Sequence, residues 1–316
     1  MYTNQTTPHI AKRHIRNRGN WRTEIPHRRK CIHRILGTSV SLTLQTSLLL
    51  VESLISQNDG SALRAISMLT YASYIISTRD LTSPSAVFVF DKLFSPSPSP
   101  TPSGLGTLIR NDLDYLCRAW QSDSFDPWEE VCARHSSGGH FYNLMNQRSA
   151  LLAGSALARS PQINDVASAV KWDAVALTID SHLEKFWNST GLLGLEGGPA
   201  EPGVDWDDDR NLGKIPKEVL ALPHILPTLS RVKGQNKPCQ VDTATLLAFI
   251  HSWDGRYDDG EYGEKWKPWG DRCLASLDRL VQVFAVVYPI NKGRKVENGV
   301  LCGRYPVSIN LVIAAH

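Results

Sequence analysis

The feature that most limits the fold is an alternation, from Ala62 onward, of long apolar helical segments with connections rich in Gly, Pro and Asp. Residues 62–76 (ALRAISMLTYASYII) are apolar nearly all round, which predicts a helix buried on most sides. Apolar residues of the stretch 109–120 recur at the spacing of one helical face. Further helical patterns cover about 141–159, 164–187, 243–253 and 274–287. Because strand alternation is scarce, the sequence predicts an all-α protein with long connecting loops.

Composition and charge narrow the class of protein. The 316 residues are 42% hydrophobic and 21% charged, which is ordinary for a globular chain. Residues 1–36 hold nine Lys and Arg and one Glu, a net charge of +8. Because the whole chain has a net charge of +3, the remaining 280 residues carry −5. A mildly acidic body argues against a nucleic-acid-binding core, so we expect no nucleic-acid partner. Binding of the basic head to a nucleic acid or an anionic membrane remains the alternative.

Neither a membrane span nor a metal site is expected. Residues 35–55 are apolar but interrupted by polar side chains, which makes them too polar for a transmembrane helix. The six cysteines show no zinc-binding spacing. The acidic clusters at 205–210 and 258–264 lack the ligand spacing of an EF-hand loop. We therefore expect no membrane partner, no metal and no cofactor.

Residues 125–131, FDPWEEV, bring three carboxylates close to one indole. Glu129 and Glu130 could simply open a helix, where negative charge suits the macrodipole. A carboxyl group beside an indole is also partly desolvated, which raises its pKa and suits it to general acid catalysis. Neighbouring side chains diverge, so one glutamate could donate a proton while the other grips substrate. That division fits glycoside hydrolysis.

The run 109–131 (IRNDLDYLCRAWQSDSFDPWEEV) resembles the glucoamylases of glycoside hydrolase family 15, the fungal type in particular. Further stretches resemble the family in its own order: QNDGSALRA (57–65), FYNLMNQRSALLAGSALA (141–158), DTATLLAFIHSWD (242–254) and GRYP (303–306). The resemblance implies an (α/α)6 barrel and the release of glucose from non-reducing ends of α-1,4-glucans or maltooligosaccharides, with inversion. It also implies secretion, although no convincing signal peptide is recognised, and we expect a monomer.

The same resemblance implies roles for individual residues. Glu129 matches the general acid, and Glu130 matches a carboxylate that holds substrate hydroxyls. Asp126 and Trp128 match positions that contact the sugar or tune the acid. Trp120 matches a tryptophan near the substrate pocket, although core packing explains it equally well.

Three residues further along the chain are also interpreted. Arg304 matches a substrate-binding arginine, with Tyr305 beside it, and a plain surface arginine is the alternative. His251 lies on an apolar helical face and is expected to be a satisfied core histidine.

The sequence also departs from the family pattern. Residues 1–56 contain no counterpart of the family's Trp-Thr-Arg-Asp motif, and residues 307–316 do not match either. No counterpart of the Ser-Glu-Gln segment that carries the general base is found. We therefore expect a catalytic domain at 57–306 that is truncated at both ends, with the acid present, the base missing and turnover disabled. A non-catalytic saccharide-binding remnant is the alternative function.

Overall fold

The structure is a computed structural model of the chain. It describes residues 58–95, 107–128, 132–133, 138–191, 215–229, 238–253 and 265–304. Its α-helices are α1 (Asn58–Thr78), α2 (Pro84–Phe88), α3 (Leu108–Ala119), α4 (Phe141–Ala158), α5 (Val166–Leu183), α6 (Lys217–Leu220), α7 (Thr243–Ser252) and α8 (Asp271–Val287). A π-helical turn (Val89–Leu93) extends α2, and 3-10 turns cover Glu184–Phe186, Pro238–Gln240, Pro289–Asn291 and Val296–Asn298.

Strands are minor in the described part of the chain. The two-residue strands β1 (Ser124–Phe125) and β2 (Cys132–Ala133) pair antiparallel, as do β3 (Trp187–Asn188) and β4 (His224–Ile225). The all-α prediction is confirmed, and each helix predicted from periodicity has a counterpart among α1, α3, α4, α5, α7 and α8. No described helix combines the length and the hydrophobicity needed to cross a membrane.

Helix α4 lies at the centre of the core, where it packs against α1, α5 and α7. Its first residue, Phe141, has ring neighbours in Phe186 and Phe249, with centroids 5.7 and 5.5 Å away. Near its last turn, a Cβ added to Gly154 would lie 2.3 Å from Leu113 Cδ1, so glycine permits the close approach of α3. Side chains of α4 are buried on nearly all sides.

The expectation for the first helix is wrong in one respect. Ala62, Ala65 and Leu69 of α1 are fully buried, but Tyr71 and Tyr74 are 45% and 57% exposed. The helix that is buried nearly all round is α4. The sequence pattern shows which positions of a helix are apolar. How much of the helix is buried depends on how many other elements pack against it.

A buried arginine of helix α8 forms hydrogen bonds to two earlier segments of the chain. Arg279 is fully buried and donates hydrogen bonds to the carbonyl oxygens of Val219, Leu220 and Cys239, at 2.6, 2.9 and 3.2 Å. Burial lowers the pKa of Arg279 to about 10, so the guanidinium stays charged at neutral pH. The first two bonds hold the segment that leads into β4, and the third holds the 3-10 turn that follows it.

Candidate functional site

Two residues predicted to bind substrate meet in the structure. Trp128 is half-buried in the turn that follows β1. The guanidinium carbon of Arg304 lies 5.4 Å from the centroid of the Trp128 ring, a cation–π distance. The indole Nε1 of Trp128 donates a hydrogen bond to Asp242 Oδ1 at 3.1 Å, across 114 residues of sequence. The fold therefore gathers an aromatic ring, a cation and a carboxylate from three distant parts of the chain.

The start of α7 holds this group together. Asp242 is 2% exposed, and its Oδ1 caps α7 by accepting a hydrogen bond from the Ala244 amide at 2.8 Å. The amide and the hydroxyl of Thr243 both donate to the carbonyl oxygen of Arg304, at 2.8 and 2.9 Å. Two consecutive residues thus anchor the side chain of Trp128 and the backbone of Arg304.

Asp126 is 1% exposed and lies next to the same group. It lines a small cavity together with Asp242, His140 and Tyr142. The cavity volume is about 10 Å³, which is about the space of one water molecule. Within the described residues, this polar cavity is therefore too small for a sugar ring.

Helix α4 is hydrogen-bonded to β1, the strand that directly precedes Asp126 and Trp128. The side-chain amide of Asn143 donates to Ser124 Oγ at 3.0 Å and to the carbonyl of Phe125 at 2.8 Å. The Phe141 amide donates to the carbonyl of Pro227 at 3.1 Å, next to another wall residue, His140. Because α4 is central in the core, Asp126 and Trp128 are attached to a rigid element.

A second polar pair lies beside the cavity. The hydroxyl of Tyr142 is hydrogen-bonded to His251 Nδ1 at 2.8 Å. Burial and the negative charge of Asp59 raise the pKa of Tyr142 to about 12, so its hydroxyl stays protonated at neutral pH. The expectation that His251 is a core histidine is wrong, because it is exposed at the end of α7. Its Nδ1 is nonetheless satisfied by Tyr142.

The other predicted site residues fall into two groups. Glu129, Glu130 and Tyr305 lie outside the described residues. Trp120 is 8% exposed and belongs to the main core, with its ring centroid 6.3 Å from that of His182. A role of Trp120 in the substrate pocket stays a prediction. No group of three or more His, Cys, Asp or Glu in the described ranges could hold a metal ion.

Sequence reasoning missed Asp242 and Tyr142 as parts of the site. Asp242 precedes the helical pattern of α7, where an aspartate is a common N-cap, so the sequence could have indicated a helix start. Nothing local could indicate that its carboxylate also meets Trp128. Tyr142 lies in the segment 141–158, for which the sequence predicts a helix but no role of individual residues.

Comparisons with known proteins find one matching family and several similar proteins. Residues 56–310 match the profile of the family described as Glycosyl hydrolases family 15. Glucoamylase 1 of Rhizopus oryzae is 29% identical over 251 residues, which are 79% of this chain and 31% of that protein. Glucoamylase-1 of Schizophyllum commune is 26% identical over 250 residues, with 79% and 32% covered. The chain thus spans about a third of the length of these relatives.

A solved structure agrees at the level of the fold. The glycoside hydrolase family 15 glucoamylase from Hypocrea jecorina superposes with a TM-score of 0.55 at 24% sequence identity, covering 79% of this chain and 31% of that one. The predicted (α/α)6 barrel, in the part of it that this chain covers, is confirmed as the fold.

Proposed function

Since the chain belongs to glycosyl hydrolases family 15, we propose that it derives from an enzyme that releases glucose from the non-reducing ends of α-1,4-glucans. Its substrates are starch chains and maltooligosaccharides, and the anomeric configuration is inverted. We assign this role to residues 57–306, which lie within the 56–310 that match the family profile. A secreted monomer belongs to the same proposal.

The observation that carries the proposal is the grouping of Trp128, Arg304 and Asp242. An indole offers a flat apolar surface to the C–H face of a pyranose ring. A guanidinium presents several N–H donors in a fixed plane, which suits hydroxyl oxygens. The contact between Arg304 and the Trp128 ring at 5.4 Å brings these two kinds of surface together. The adjoining cavity is too small for a sugar, so a ligand would lie against Trp128 and Arg304 rather than inside it.

Each of the other assigned residues has a chemical task. Glu129 would protonate the glycosidic oxygen as the general acid, while Glu130 and Tyr305 would hold substrate hydroxyls. Asp126, buried beside the same turn, would tune the acid, and Trp120 would contribute to the pocket wall. Inversion also needs a carboxylate base roughly 6.5–9.5 Å from the acid. No residue of this chain is assigned to that task.

The test is glucose release from maltoheptaose by the purified chain, with the anomer identified by NMR at early times. Glu129→Gln removes the acid and is expected to lower any release by about 10²–10⁴-fold. Glu297→Gln is the matched control, because Glu297 is 69% exposed and pairs with Lys295 only at 3.8 Å. Early release of β-glucose that Glu129→Gln alone abolishes would establish Glu129 as the acid and overturn the expectation of disabled turnover.

The second candidate is a saccharide-binding remnant without turnover, which the grouping of Trp128 and Arg304 supports equally well. Calorimetric titration with maltose and maltoheptaose separates the two candidates. Binding without glucose release would favour the remnant. A chain that unfolds cooperatively but binds neither saccharide would contradict both.

A further inference from the structure

We propose that Asp242 is a positioning residue for the saccharide-binding surface of Trp128 and Arg304. The inference rests on the proposed function and adds a residue that neither the motif nor the residue roles pointed to. Its basis is the connection of one buried carboxylate to both groups, directly to Trp128 and through the next residue to Arg304.

The direct connection fixes the plane of the indole. An indole has a single N–H donor, and that of Trp128 is directed at Asp242 Oδ1 at 3.1 Å. The same oxygen accepts the Ala244 amide at 2.8 Å, so it is itself held at the start of α7. A tryptophan side chain has only two torsions, and an N–H directed at a fixed acceptor therefore restrains the ring. The indole cannot turn without breaking its hydrogen bond to the buried carboxylate.

The second connection runs through the backbone. Thr243 donates two hydrogen bonds to the carbonyl of Arg304, at 2.8 and 2.9 Å. Thr243 occupies the first position of α7, directly after the cap. The cap therefore orders the residue that holds Arg304, whose guanidinium then lies over the ring that Asp242 restrains.

A surface arranged in advance binds more tightly, because the side chains lose less freedom when the ligand arrives. Asp242→Ser keeps an oxygen that can cap α7, but its shorter side chain cannot reach Trp128. Asp242→Asn keeps an acceptor at the position of Oδ1. We expect maltoheptaose to bind Asp242→Ser about three- to tenfold more weakly, as the loss of one hydrogen bond predicts. Asp242→Asn is expected to stay within about threefold of the parent chain.

The matched control is Asp165→Ser. Asp165 is also an aspartate at a helix N-cap, where its side chain accepts a hydrogen bond from the Ser168 amide at 3.1 Å. It lies before α5, also forms an ion pair with Arg110 and does not line the cavity, so Asp165→Ser disturbs the fold at least as much as the loss of a cap. A purely structural effect of losing a capping carboxylate would appear in this variant as well.

The deciding measurement is the indole N–H signal of Trp128 in the full chain, labelled with ¹⁵N-tryptophan and assigned among the nine tryptophans by Trp128→Phe. In Asp242→Ser this signal should move upfield and exchange faster with solvent, and saccharide binding should weaken. Asp242→Asn and Asp165→Ser should preserve both the Trp128 signal and the affinity for maltoheptaose. An unchanged Trp128 signal in Asp242→Ser, or a changed signal with unchanged affinity, would overturn the inference.

The proposed function can fail separately. A parent chain without measurable affinity for maltoheptaose would contradict the saccharide-binding surface. In that case the indole signal, which needs no ligand, still decides whether Asp242 holds Trp128, and an unchanged signal would contradict the positioning role as well.

Discussion

The guanidinium of Arg304 lies over the ring of Trp128, with its central carbon 5.4 Å from the ring centroid. A flexible cation is thereby kept next to a flat aromatic surface. The strength of this contact is measurable, because a planar guanidinium stacks on an indole and an ammonium group does so less well.

We expect Arg304→Lys to bind maltoheptaose several-fold more weakly than the parent chain, and Arg304→Gln to bind more weakly still. Titration calorimetry measures these affinities. A double-mutant cycle of Arg304→Gln and Trp128→Leu on the free energy of unfolding in urea should give a coupling of about 0.5–1 kcal/mol, the usual strength of a partly exposed cation–π contact. Strictly additive effects would mean that the two side chains act independently.

Gly154→Ala is expected to destabilise the fold although alanine favours helices. The added Cβ would lie 2.3 Å from Leu113 Cδ1, so the buried Leu113 side chain must change conformation or α3 and α4 must move apart, at a cost of about 1–3 kcal/mol. The gain in helix propensity offsets about 1 kcal/mol of this cost, which leaves a net loss of up to about 2 kcal/mol. The free energy of unfolding in urea measures the balance.

Gly60→Ala is the matched control for that change. Gly60 also lies in a helix, but a Cβ there would meet nothing within 4 Å. Its substitution should leave stability unchanged or raise it slightly. A loss of the same size at both glycines would contradict the packing explanation.

Acidification should destabilise the fold through His224. Burial, together with the positive charge of Arg279, lowers the pKa of His224 to about 3, well below the ordinary value of 6.5. Between these values the unfolded chain binds a proton that the folded chain does not, so stability falls as the pH decreases. The slope contributed by one such group is at most about 1.4 kcal/mol per pH unit.

His224→Gln removes this titration and should flatten the decline in stability between about pH 6 and pH 4. Urea unfolding of the parent and the variant at a series of pH values provides the comparison. Identical slopes in the two proteins would show that other groups cause the acid sensitivity.

Breaking the ion pair between Arg148 and Asp180 should cost more than any surface substitution. Arg148 Nε lies 2.6 Å from Asp180 Oδ1, and Trp266 Nε1 donates to the same oxygen at 2.8 Å. Both charged side chains are largely buried. Asp180→Ala deprives both donors of this acceptor, and we expect a loss of about 3–5 kcal/mol in the free energy of unfolding.

Asp278→Ala offers a comparison on the protein surface. Asp278 accepts a hydrogen bond from Gln282 on an exposed face of α8, so its loss should stay within about 0.5 kcal/mol. Similar losses for Asp180→Ala and Asp278→Ala would indicate that burial of the Arg148 pair has no energetic weight.

Local sequence patterns determined the helices of this protein. Ile109, Leu113 and Leu116 predicted α3 because an amphipathic stripe needs only residues within a few turns of each other. The stretch around Trp128, together with the matching segments along the chain, likewise led to the family and to the all-α class. Both kinds of information are contained in neighbouring residues and their order.

Only the tertiary structure decided how much of each helix is buried and what surrounds Trp128. Periodicity gave no means of predicting that α4 has neighbours on nearly all sides while α1 leaves Tyr71 and Tyr74 exposed. Similarly, the bond from Trp128 to Asp242 joins residues 114 positions apart. Such contacts depend on the packing of whole helices, because only that packing brings distant side chains within hydrogen-bonding distance.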